Sequence, residues 1–409
     1  MTSFEQWRRP LAQQGRWGYH QERSTHHLGT SASLRDEFGH EGPGINLLSQ
    51  DYLGLSRHPR VIAAVGEALR RFGPHAAGSP AAAGETVLHA QLRSALSELT
   101  GMPHIVLFPT GWGASHGAVS ALVGRHDHVI VDELAHASLH EGITSSRCTQ
   151  VTRVPHLDNA AVGDHLRRIR RNDRRNAILV IAESLYSMNS DSPDLAGLQQ
   201  MCREHNAVLL VDQAHDLGVL GPGGHGLAAA QHLHGTLDLV VGSFSKAFAT
   251  NGGYLATKSE GVAQYVRYFG STHIFSSALT PLQAAGALAA ADIMSSAEGQ
   301  RRRDRVISNS LLLRERLAGT PGADLLGTPS PIVPLRIPNL DAARTALALA
   351  RDKGVLLHLV EFPVVPLGQA IFRLQLSCEH RPADLLRAAD AIRESVHHAL
   401  THPRKGTPS

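Results

Sequence analysis

The chain has few of the residues and segments that mark several classes of protein. Its 409 residues include only 3 cysteines, too few and too scattered for a disulfide framework, which favours a reducing compartment. The amino terminus carries no apolar signal core, and no apolar run approaches the roughly 18 residues of a membrane span. Charge is also nearly balanced: 39 Lys+Arg and 36 Asp+Glu leave a formal charge of +3, which gives no electrostatic case for nucleic-acid binding. We therefore expect a soluble cytoplasmic protein.

Lysine is the scarcest of the reactive side chains. Only four of the 39 basic residues are lysines, and they are Lys246, Lys258, Lys353 and Lys405. A codon bias toward arginine explains the scarcity itself. If the chemistry needs a primary amine, few candidates remain.

The hydrophobic content of 42% is enough for a sizeable core, and the length predicts two lobes. From about residue 100, short apolar β-branched runs alternate with amphipathic segments, a pattern typical of a mainly parallel sheet covered by helices. The candidate strands begin at His104, His128, Ala177, Ala207, Asp238 and Gly253. The sequence therefore predicts an α/β fold, with a smaller α+β lobe after a long arginine-rich helix.

Changes in composition along the chain predict four segments. We expect an N-terminal arm over residues 1–44, a large domain over 45–295, a small C-terminal domain over 296–400 and a disordered tail over 401–409. The boundary between the lobes is placed near Ser295, to within several residues.

Polar residues directly follow several predicted strands, and open α/β sheets bind ligands at the carboxyl ends of their strands. Lys246 lies at such an end between small and aromatic residues, where partial desolvation would favour the neutral amine that forms Schiff bases. Asp212 follows a fully apolar strand, where a buried carboxylate needs a cation, and a protonated pyridine nitrogen would supply one. Each also has an ordinary explanation, Lys246 as a solvated surface lysine and Asp212 as a helix N-cap or an ion pair with arginine.

Two further patterns leave alternatives open. His136 and His140 are spaced i,i+4 on a predicted helix and would present two metal ligands on one face, but the sequence offers no third ligand, and 26 histidines produce chance pairs. The turn LFPTGWGAS around Gly111 places Gly, Thr and Ser where backbone amides and the helix dipole favour an anion such as phosphate. A simple tight turn explains the same glycines.

Read in order, eight segments resemble the α-oxoamine synthases, fold-type I enzymes that use pyridoxal 5'-phosphate (PLP). The resemblance spans about Asn46 to Arg393, and its segments are LLSQDYLGLSRHP, LFPTGWGAS, VDELAHASLHEG, AESLYSMNSDSPDL, LLVDQAHDLGVLGPGGHG, VVGSFSKAF, HIFSSALTP and FRLQLSCEH. Several such segments in the right order are far more specific than any one motif. The resemblance implies a PLP-dependent acyltransferase and a homodimer whose active site is shared between subunits.

The resemblance also implies roles for the residues of the cofactor site. Lys246 would bind PLP covalently, Asp212 would pair with the pyridinium nitrogen, and His215 would hydrogen-bond the phenolic oxygen. His136 would stack on the ring face. The remaining implied contacts are Ser187, the phosphate-binding Gly111, Trp112, Gly113 and Ser243, and Ser276 or Ser277 of the partner subunit.

The implied substrate residues are Arg373, which aligns with the arginine that holds the substrate carboxylate, together with Gln50 and Ser79. The sequence departs from the family pattern where Gln50 replaces an Asn, Gln213 replaces a Glu or Asp, and Asp216 replaces a Gly. In addition, AAGSPAAAG around Ser79 stands where a GSGGSR-like segment is common. These departures concern the substrate pockets more than the cofactor, so they leave the amino acid and the acyl group open.

By the same resemblance, Lys246 would remove the Cα proton of a bound amino acid, which would attack an acyl thioester of CoA or of an acyl carrier protein and then lose CO2. His136 would hydrogen-bond the thioester carbonyl. The alternatives are a PLP-dependent aminotransferase or aldolase of the same fold, a non-catalytic partner subunit, and a metal hydrolase built on His136 and His140. Retention of the lysine, the aspartate and both histidines of the implied site argues against the non-catalytic subunit.

Overall fold

The protein was analysed as a computed structural model, which describes residues 2–14, 23–24, 26–35 and 41–402. Residues 403–409 of the predicted tail and parts of the predicted arm lie outside these ranges. The strands are β1 (Arg23–Ser24), β2 (Ser31–Arg35), β3 (Glu41–Asn46), β4 (His104–Phe108), β5 (His128–Asp132), β6 (Gln150–Val154), β7 (Ile178–Glu183), β8 (Val208–Asp212), β9 (Leu239–Ser243), β10 (Gly253–Thr257), β11 (Asp324–Leu325), β12 (Ile332–Arg336), β13 (Val355–Leu356), β14 (His358–Val360) and β15 (Ile371–Gln375). The helices are α1 (Thr2–Gln13), α2 (Pro59–Phe72), α3 (Val87–Thr100), α4 (Gly111–Leu122), α5 (Ala137–Ser146), α6 (Asn159–Asn172), α7 (Leu195–Glu204), α8 (Leu227–Ala230), α9 (Glu260–Phe269), α10 (Ser271–Ile274), α11 (Pro281–Met294), α12 (Ala297–Leu317), α13 (Leu340–Asp352) and α14 (Pro382–Thr401).

The chain divides into two compact units, which are described separately below. The central unit comprises Leu53–Ser187 and Ser192–Arg303, and the terminal unit comprises Met1–Tyr52, Met188–Asp191 and Asp304–Ser409. This division groups the first residues of the chain with the C-terminal ones. A compact unit need not be a domain that folds on its own, so this division does not test the four predicted segments, which remain a prediction.

The central unit is built around a seven-stranded sheet with the strand order β4-β10-β9-β8-β7-β5-β6. Six of these strands run parallel, while β10 is antiparallel to both of its neighbours. Every residue of β7 and β9 is buried, which fits the continuous apolar runs of a sheet covered on both faces. The predicted α/β class is confirmed, as are the six candidate strands of this region.

Side-chain caps begin the helices that cross between these strands. Thr110 accepts from the Gly113 amide at 2.9 Å at the start of α4, Asp158 caps α6, and Asp194 caps α7. The sequence analysis missed β6, whose QVTRV segment is exposed at most positions because it lies at the edge of the sheet. An edge strand exposes polar residues, so its apolar pattern is weak.

The terminal unit contains two four-stranded sheets, ordered β1-β2-β3-β13 and β11-β12-β15-β14. The apolar segments PIVPLRI, VLLHLV and FRLQLS, which follow the long arginine-rich helix, form β12 to β15. Strands β2 and β3 were not predicted, because their polar and glycine-containing sequences lack periodicity and β3 pairs with β13 from far along the chain. Among the helices that the structure describes, none has the length and apolar character needed to cross a membrane.

Candidate active site

Carboxylates end two neighbouring strands of the central sheet. The pairing of β7 with β8 places Glu183 opposite Asp212, and Asp212 in turn lies opposite Val241 of β9. Glu183 and Asp212 are both buried. The carboxyl ends of these parallel strands therefore bring acidic groups together at one edge of the sheet, as the sequence predicted for Asp212.

Asp212 is held in place by neutral donors. Its Oδ1 accepts from the Ala214 amide at 2.9 Å, and its Oδ2 lies 3.3 Å from the Ser115 hydroxyl of α4. The backbone carbonyl of Asp212 also receives the Ser184 amide at 2.9 Å. These contacts orient a buried carboxylate without supplying the positive charge that such a group requires.

Glu183 is a site residue to which the sequence analysis assigned no role. Burial and the nearby charge of Asp212 raise the pKa of Glu183 well above its ordinary value, while the His136 amide and the charge of Lys246 oppose that rise. The amide of His136 donates to Glu183 Oε1 at 2.6 Å. The rule that singled out Asp212, a carboxylate directly after an apolar strand, applies equally to Glu183, which the sequence places directly after the AILVIA run.

Lys246 lies in a tight turn that connects β9 to β10. The Phe244 amide donates to the Gly252 carbonyl, the Thr250 amide to the Phe244 carbonyl, and the Ala249 amide to the Lys246 carbonyl. The rings of Phe244 and its neighbours are buried, whereas Lys246 itself is half-buried. The charge of this half-buried amine acts to lower the pKa of Glu183, so Lys246 lies close to the sheet edge where Glu183 and Asp212 end their strands.

The two predicted histidines differ in environment. His215 follows Asp212 by three residues and is buried, with 7% of its surface exposed. His136 is exposed and lies at the N-cap position of α5, where its Nδ1 lies 2.7 Å from the Ser138 hydroxyl. Within the described ranges, no three His, Cys, Asp or Glu side chains are grouped as metal ligands.

The glycine turn predicted to bind phosphate packs against the end of β9. A Cβ atom on Gly111 would lie 2.4 Å from the Ser243 Oγ, which leaves no room for any residue but glycine. The Ser243 hydroxyl is also 2.7 Å from the Ser245 hydroxyl, and the Gly113 carbonyl accepts from Thr272 at 2.6 Å. Trp112 is 48% exposed and stacks on His116.

The other predicted cofactor residues occupy loops of the central unit. Ser276 and Ser277 follow α10, and the amide of the next residue, Ala278, donates to the Gly78 carbonyl at 3.0 Å. That bond ties the Ser277 loop to the loop of Ser79, which precedes a short 3₁₀ turn. Ser187 lies in the loop after β7 and is half-buried.

Two predicted substrate residues belong to the terminal unit. Arg373 in β15 is only 4% exposed. The burial of His358, helped by the Arg373 charge, lowers the pKa of His358 to about 4. The burial of Tyr52 raises the pKa of Tyr52 to about 12, although the Arg373 charge opposes that rise. The segment that contains Gln50 runs beside the same strand, because the Leu47 carbonyl accepts from the Gln375 amide. Gln50 and Arg373 therefore belong to the same unit, on segments that hydrogen-bond to each other.

These residues fit PLP by the chemistry of their donors and by their shape. Asp212 offers a buried anion to a cationic ring nitrogen, since its protein partners are a hydroxyl and an amide. At the N-terminus of α4, any side chain at Gly111 would fill the space beside Ser243. That space suits a phosphate group. A half-buried lysine at the same edge supplies the amine that an aldehyde requires.

A mostly parallel sheet with this amine and this carboxylate at adjacent strand ends is the architecture of the fold-type I PLP-dependent transferases. The model of the aminotransferase class I and II family matches residues 43–392, and the chain belongs to that family. It is 36% identical to the 8-amino-7-oxononanoate synthase of Geobacter metallireducens over 343 residues, which cover 84% of this chain and 86% of that protein.

Solved structures lead to the same group. A lysine-to-alanine variant of the serine palmitoyltransferase of S. paucimobilis, solved with a bound PLP–myriocin aldimine, has a TM-score of 0.89 and 27% identity, with 98% of each chain covered. The Sphingomonas wittichii serine palmitoyltransferase matches with a TM-score of 0.89 and 25% identity, again over 98% of each chain. The chain is thus a PLP-dependent acyltransferase of the α-oxoamine synthase type, which condenses an amino acid with an acyl thioester.

Proposed function

We propose that this enzyme condenses alanine with a dicarboxylic acyl-CoA and that the residues at the carboxyl edge of its sheet perform the reaction. The observation that carries the proposal is the placement of Lys246 beside the Glu183–Asp212 pair, next to the Gly111–Ser243 turn. PLP, when bound there, supplies an electron sink for the negative charge left at the amino-acid Cα. The amino acid, the acyl group, the dimer and the residue roles below are parts of this proposal.

Lys246 and Asp212 have complementary tasks. Asp212 holds a proton on the ring nitrogen by ion pairing, because a buried carboxylate strongly favours a cation beside it. Lys246 would hold the cofactor through its Nζ, and the same amine would take the proton from the amino-acid Cα and later return one to the product. His215 would orient the cofactor by donating a hydrogen bond to the phenolic oxygen. Because the His215 side chain is buried, few other orientations are open to its imidazole ring.

His136 stacks on the cofactor ring and donates to the thioester carbonyl as negative charge develops there. The bond between its amide and Glu183 supports this role, because it fixes the backbone at the start of α5. Glu183 is a positioning residue in this scheme. Its raised pKa favours the protonated carboxyl group, which does not repel Asp212 as a second carboxylate would.

The phosphate is held by backbone amides and hydroxyls. Gly111, Trp112 and Gly113 present the N-terminus of α4, and Ser243 adds a hydroxyl beside it. Ser276 and Ser277 of the partner subunit complete the phosphate site, and Ser187 contacts the cofactor from the loop after β7.

Arg373 binds the carboxylate of the amino acid through its guanidinium fork, with Gln50 and Ser79 lining the substrate pocket. The burial of Arg373 supports this role, because a buried guanidinium attracts an anion far more strongly than an exposed one does. The lowered pKa of His358 keeps that neighbouring imidazole neutral, so it does not compete with Arg373 for the carboxylate.

The choice of substrates rests on the curated relatives. The name 8-amino-7-oxononanoate describes a nine-carbon acid with a ketone at carbon 7 and an amine at carbon 8. Alanine without its carboxylate supplies the amine-bearing carbon and its methyl group, so a seven-carbon dicarboxylic acyl thioester must supply the rest. The bond forms between Cα and the thioester carbonyl, while CO2 and the free thiol leave.

A homodimer in the cytoplasm is part of the same proposal. Aromatic side chains are exposed at the end of α9 and directly after α10, where Tyr268, Phe269 and Phe275 are 70%, 63% and 87% exposed. Exposed apolar patches of this kind mark protein interfaces. Phe275 directly precedes Ser276, so a partner that covers this face also meets the serine loop.

The decisive experiment measures cofactor binding and thiol release together. Purified protein with PLP should show the absorbance band of a lysine-bound cofactor and should release CoA from pimeloyl-CoA in the presence of alanine. Lys246→Ala should abolish both signals. The matched control is Lys258→Ala, since the Lys258 amine is exposed and bonds only a backbone carbonyl in the described contacts.

Three results would change the proposal. CoA release with serine and palmitoyl-CoA but not with alanine and pimeloyl-CoA would show instead that the enzyme has the specificity of a serine palmitoyltransferase. Transfer of the amino group to an oxo acid without CoA release would favour the aminotransferase alternative. Survival of the cofactor band in Lys246→Ala would remove the assignment of the amine.

A further inference from the structure

Asp216 is a fully buried carboxylate next to the cofactor site. Its Oδ1 lies 2.6 Å from the Ser184 hydroxyl, and its Oδ2 accepts from the Leu227 amide at 2.6 Å. Both oxygens thus face donors, the arrangement expected of an ionised group. The sequence gives no role to this residue, since a glycine is common at the equivalent place in α-oxoamine synthases.

The surroundings of Asp216 are shaped around its side chain. A Cβ on Gly226 would approach the Asp216 Oδ2 and the Gln213 side chain to 2.9 Å, and Gly226 also has a φ of +85°. The Val219 and Leu220 amides both donate to the Asp216 carbonyl. The glycine-rich loop after His215 therefore packs directly against the Asp216 carboxylate.

Ser184 connects Asp216 to the cofactor residue. Its hydroxyl lies 2.6 Å from Asp216 Oδ1 and 3.0 Å from the Asp212 carbonyl oxygen. When Asp216 is ionised, that hydroxyl donates to it. When Asp216 is protonated, Asp216 donates to Ser184, and the hydroxyl turns to the Asp212 carbonyl. The proton of Asp216 thus changes the hydrogen bonding of the residue behind the ring nitrogen.

The charges that face Asp216 are those of the cofactor site. Asp212 at the end of β8 interacts with it electrostatically, and both carboxylates raise the pKa of Tyr254 in β10, where burial is the larger cause. His215 adjoins Asp216 in the chain, and Arg303 lies against Gly224 of the covering loop. Burial, followed by the Asp212 charge, raises the pKa of Asp216 to about 6, although bonds from Ser184 and Leu227 oppose the rise.

We propose that Asp216 is a positioning residue that adds a second negative charge behind Asp212 and thereby strengthens the hold of the site on the cationic ring nitrogen of the cofactor. This inference rests on the proposed function, because it presumes PLP on Lys246 with its ring nitrogen at Asp212. The charge is present when Asp216 is ionised and absent when it is protonated. Cofactor binding should therefore tighten as the pH rises through about 6.

The test compares charge removal with removal of the bridging hydroxyl. In Asp216→Asn, the pH midpoint at which the lysine-bound cofactor loses its proton should fall by about one unit, and the dissociation constant of PLP should rise about tenfold. Ser184→Ala keeps the charge and should leave the midpoint near that of the wild type. The readouts are a spectrophotometric pH titration and equilibrium dialysis of PLP, neither of which depends on turnover.

A wild-type measurement covers the case in which the variants fold poorly. The dissociation constant of PLP, measured from about pH 5 to about pH 8, should fall through a step near the pKa of Asp216. If the dissociation constant of PLP did not change with pH, or if the midpoint were unchanged in a folded Asp216→Asn, Asp216 would only support the loop, and the inference would be overturned. A wild-type enzyme without any lysine-bound band would instead refute the proposed function.

Discussion

Two aspartates end strands of the same sheet, and both are buried, yet their partners differ. Asp132 at the end of β5 lies 3.0 Å from His156 Nδ1 and also accepts from the Leu134 and Leu157 amides. Asp212 at the end of β8 accepts from a serine hydroxyl and one amide. The protein thus gives Asp132 a group able to carry positive charge, whereas the described donors to Asp212 are neutral.

The consequence is visible in the acidity of Asp132. Burial alone would raise its pKa, but the bonds from His156, Leu157 and Leu134 outweigh burial and hold the pKa below the ordinary value. A strand-end carboxylate is therefore not by itself a cofactor site. What distinguishes Asp212 is that the donors described for its carboxylate are a hydroxyl and an amide, with Lys246 and the glycine turn beside it.

The largest expected effect is that of Asp212→Asn. Loss of the anion removes the partner of the ring nitrogen, so kcat/KM should fall about a thousandfold while the shape of the residue is kept. Steady-state assays of CoA release measure the loss. Activity within tenfold of the wild type would mean that Asp212 is only structural, like Asp132.

Asp132→Asn is the matched substitution, and it should affect stability instead. Removing the anion leaves the partly buried His156 without its ion pair, which should lower the free energy of unfolding by about 2–3 kcal/mol. Urea unfolding measures this change, and equilibrium dialysis should show PLP affinity within about twofold of the wild type. A variant that keeps its stability but loses PLP would erase the distinction between the two aspartates.

Gly111→Ala probes the other half of the cofactor site. The new Cβ would meet Ser243, whose hydroxyl would have to move, so the dissociation constant of PLP should rise about tenfold. Gly66→Ala in α2 is the control, because a Cβ there meets only the Arg70 guanidinium at 3.8 Å. Equal PLP affinity in both variants would show that the Gly111 turn does not bind the phosphate.

The smallest expected effect is in the pH dependence of stability. Asp132 has a lowered pKa, so its contribution is present above the ordinary carboxyl value of 3.8 and is lost as the pH falls through the lower value of the folded state. The stability difference between wild type and Asp132→Asn should therefore narrow by about 1 kcal/mol from about pH 5 to about pH 3. Unfolding curves at several pH values measure it, and a constant difference would show that the pair carries no ionic component.

Much of the central sheet and of its strand-end residues was predictable from local pattern. Apolar β-branched runs predicted β4, β5 and β7 to β10, because a sheet covered on both faces requires them. The segment order predicted the family, which the comparisons confirm. The edge strand β6 was missed because its exposed residues give a weak apolar pattern, and β2 and β3 were missed because their polar sequences lack periodicity and β3 pairs with the remote β13.

By itself, the sequence determined which amine and which carboxylates stand at strand ends, because strand periodicity and connection length are short-range properties of the chain. Only the tertiary structure decided how each carboxylate is used. His156 comes to Asp132, Ser115 to Asp212, and Leu227 to Asp216 from separate segments. Whether a buried acid stays ionised depends on those hydrogen-bond donors and on how far folding excludes water from the carboxyl group. Neither can be read from the residues next to it in the sequence.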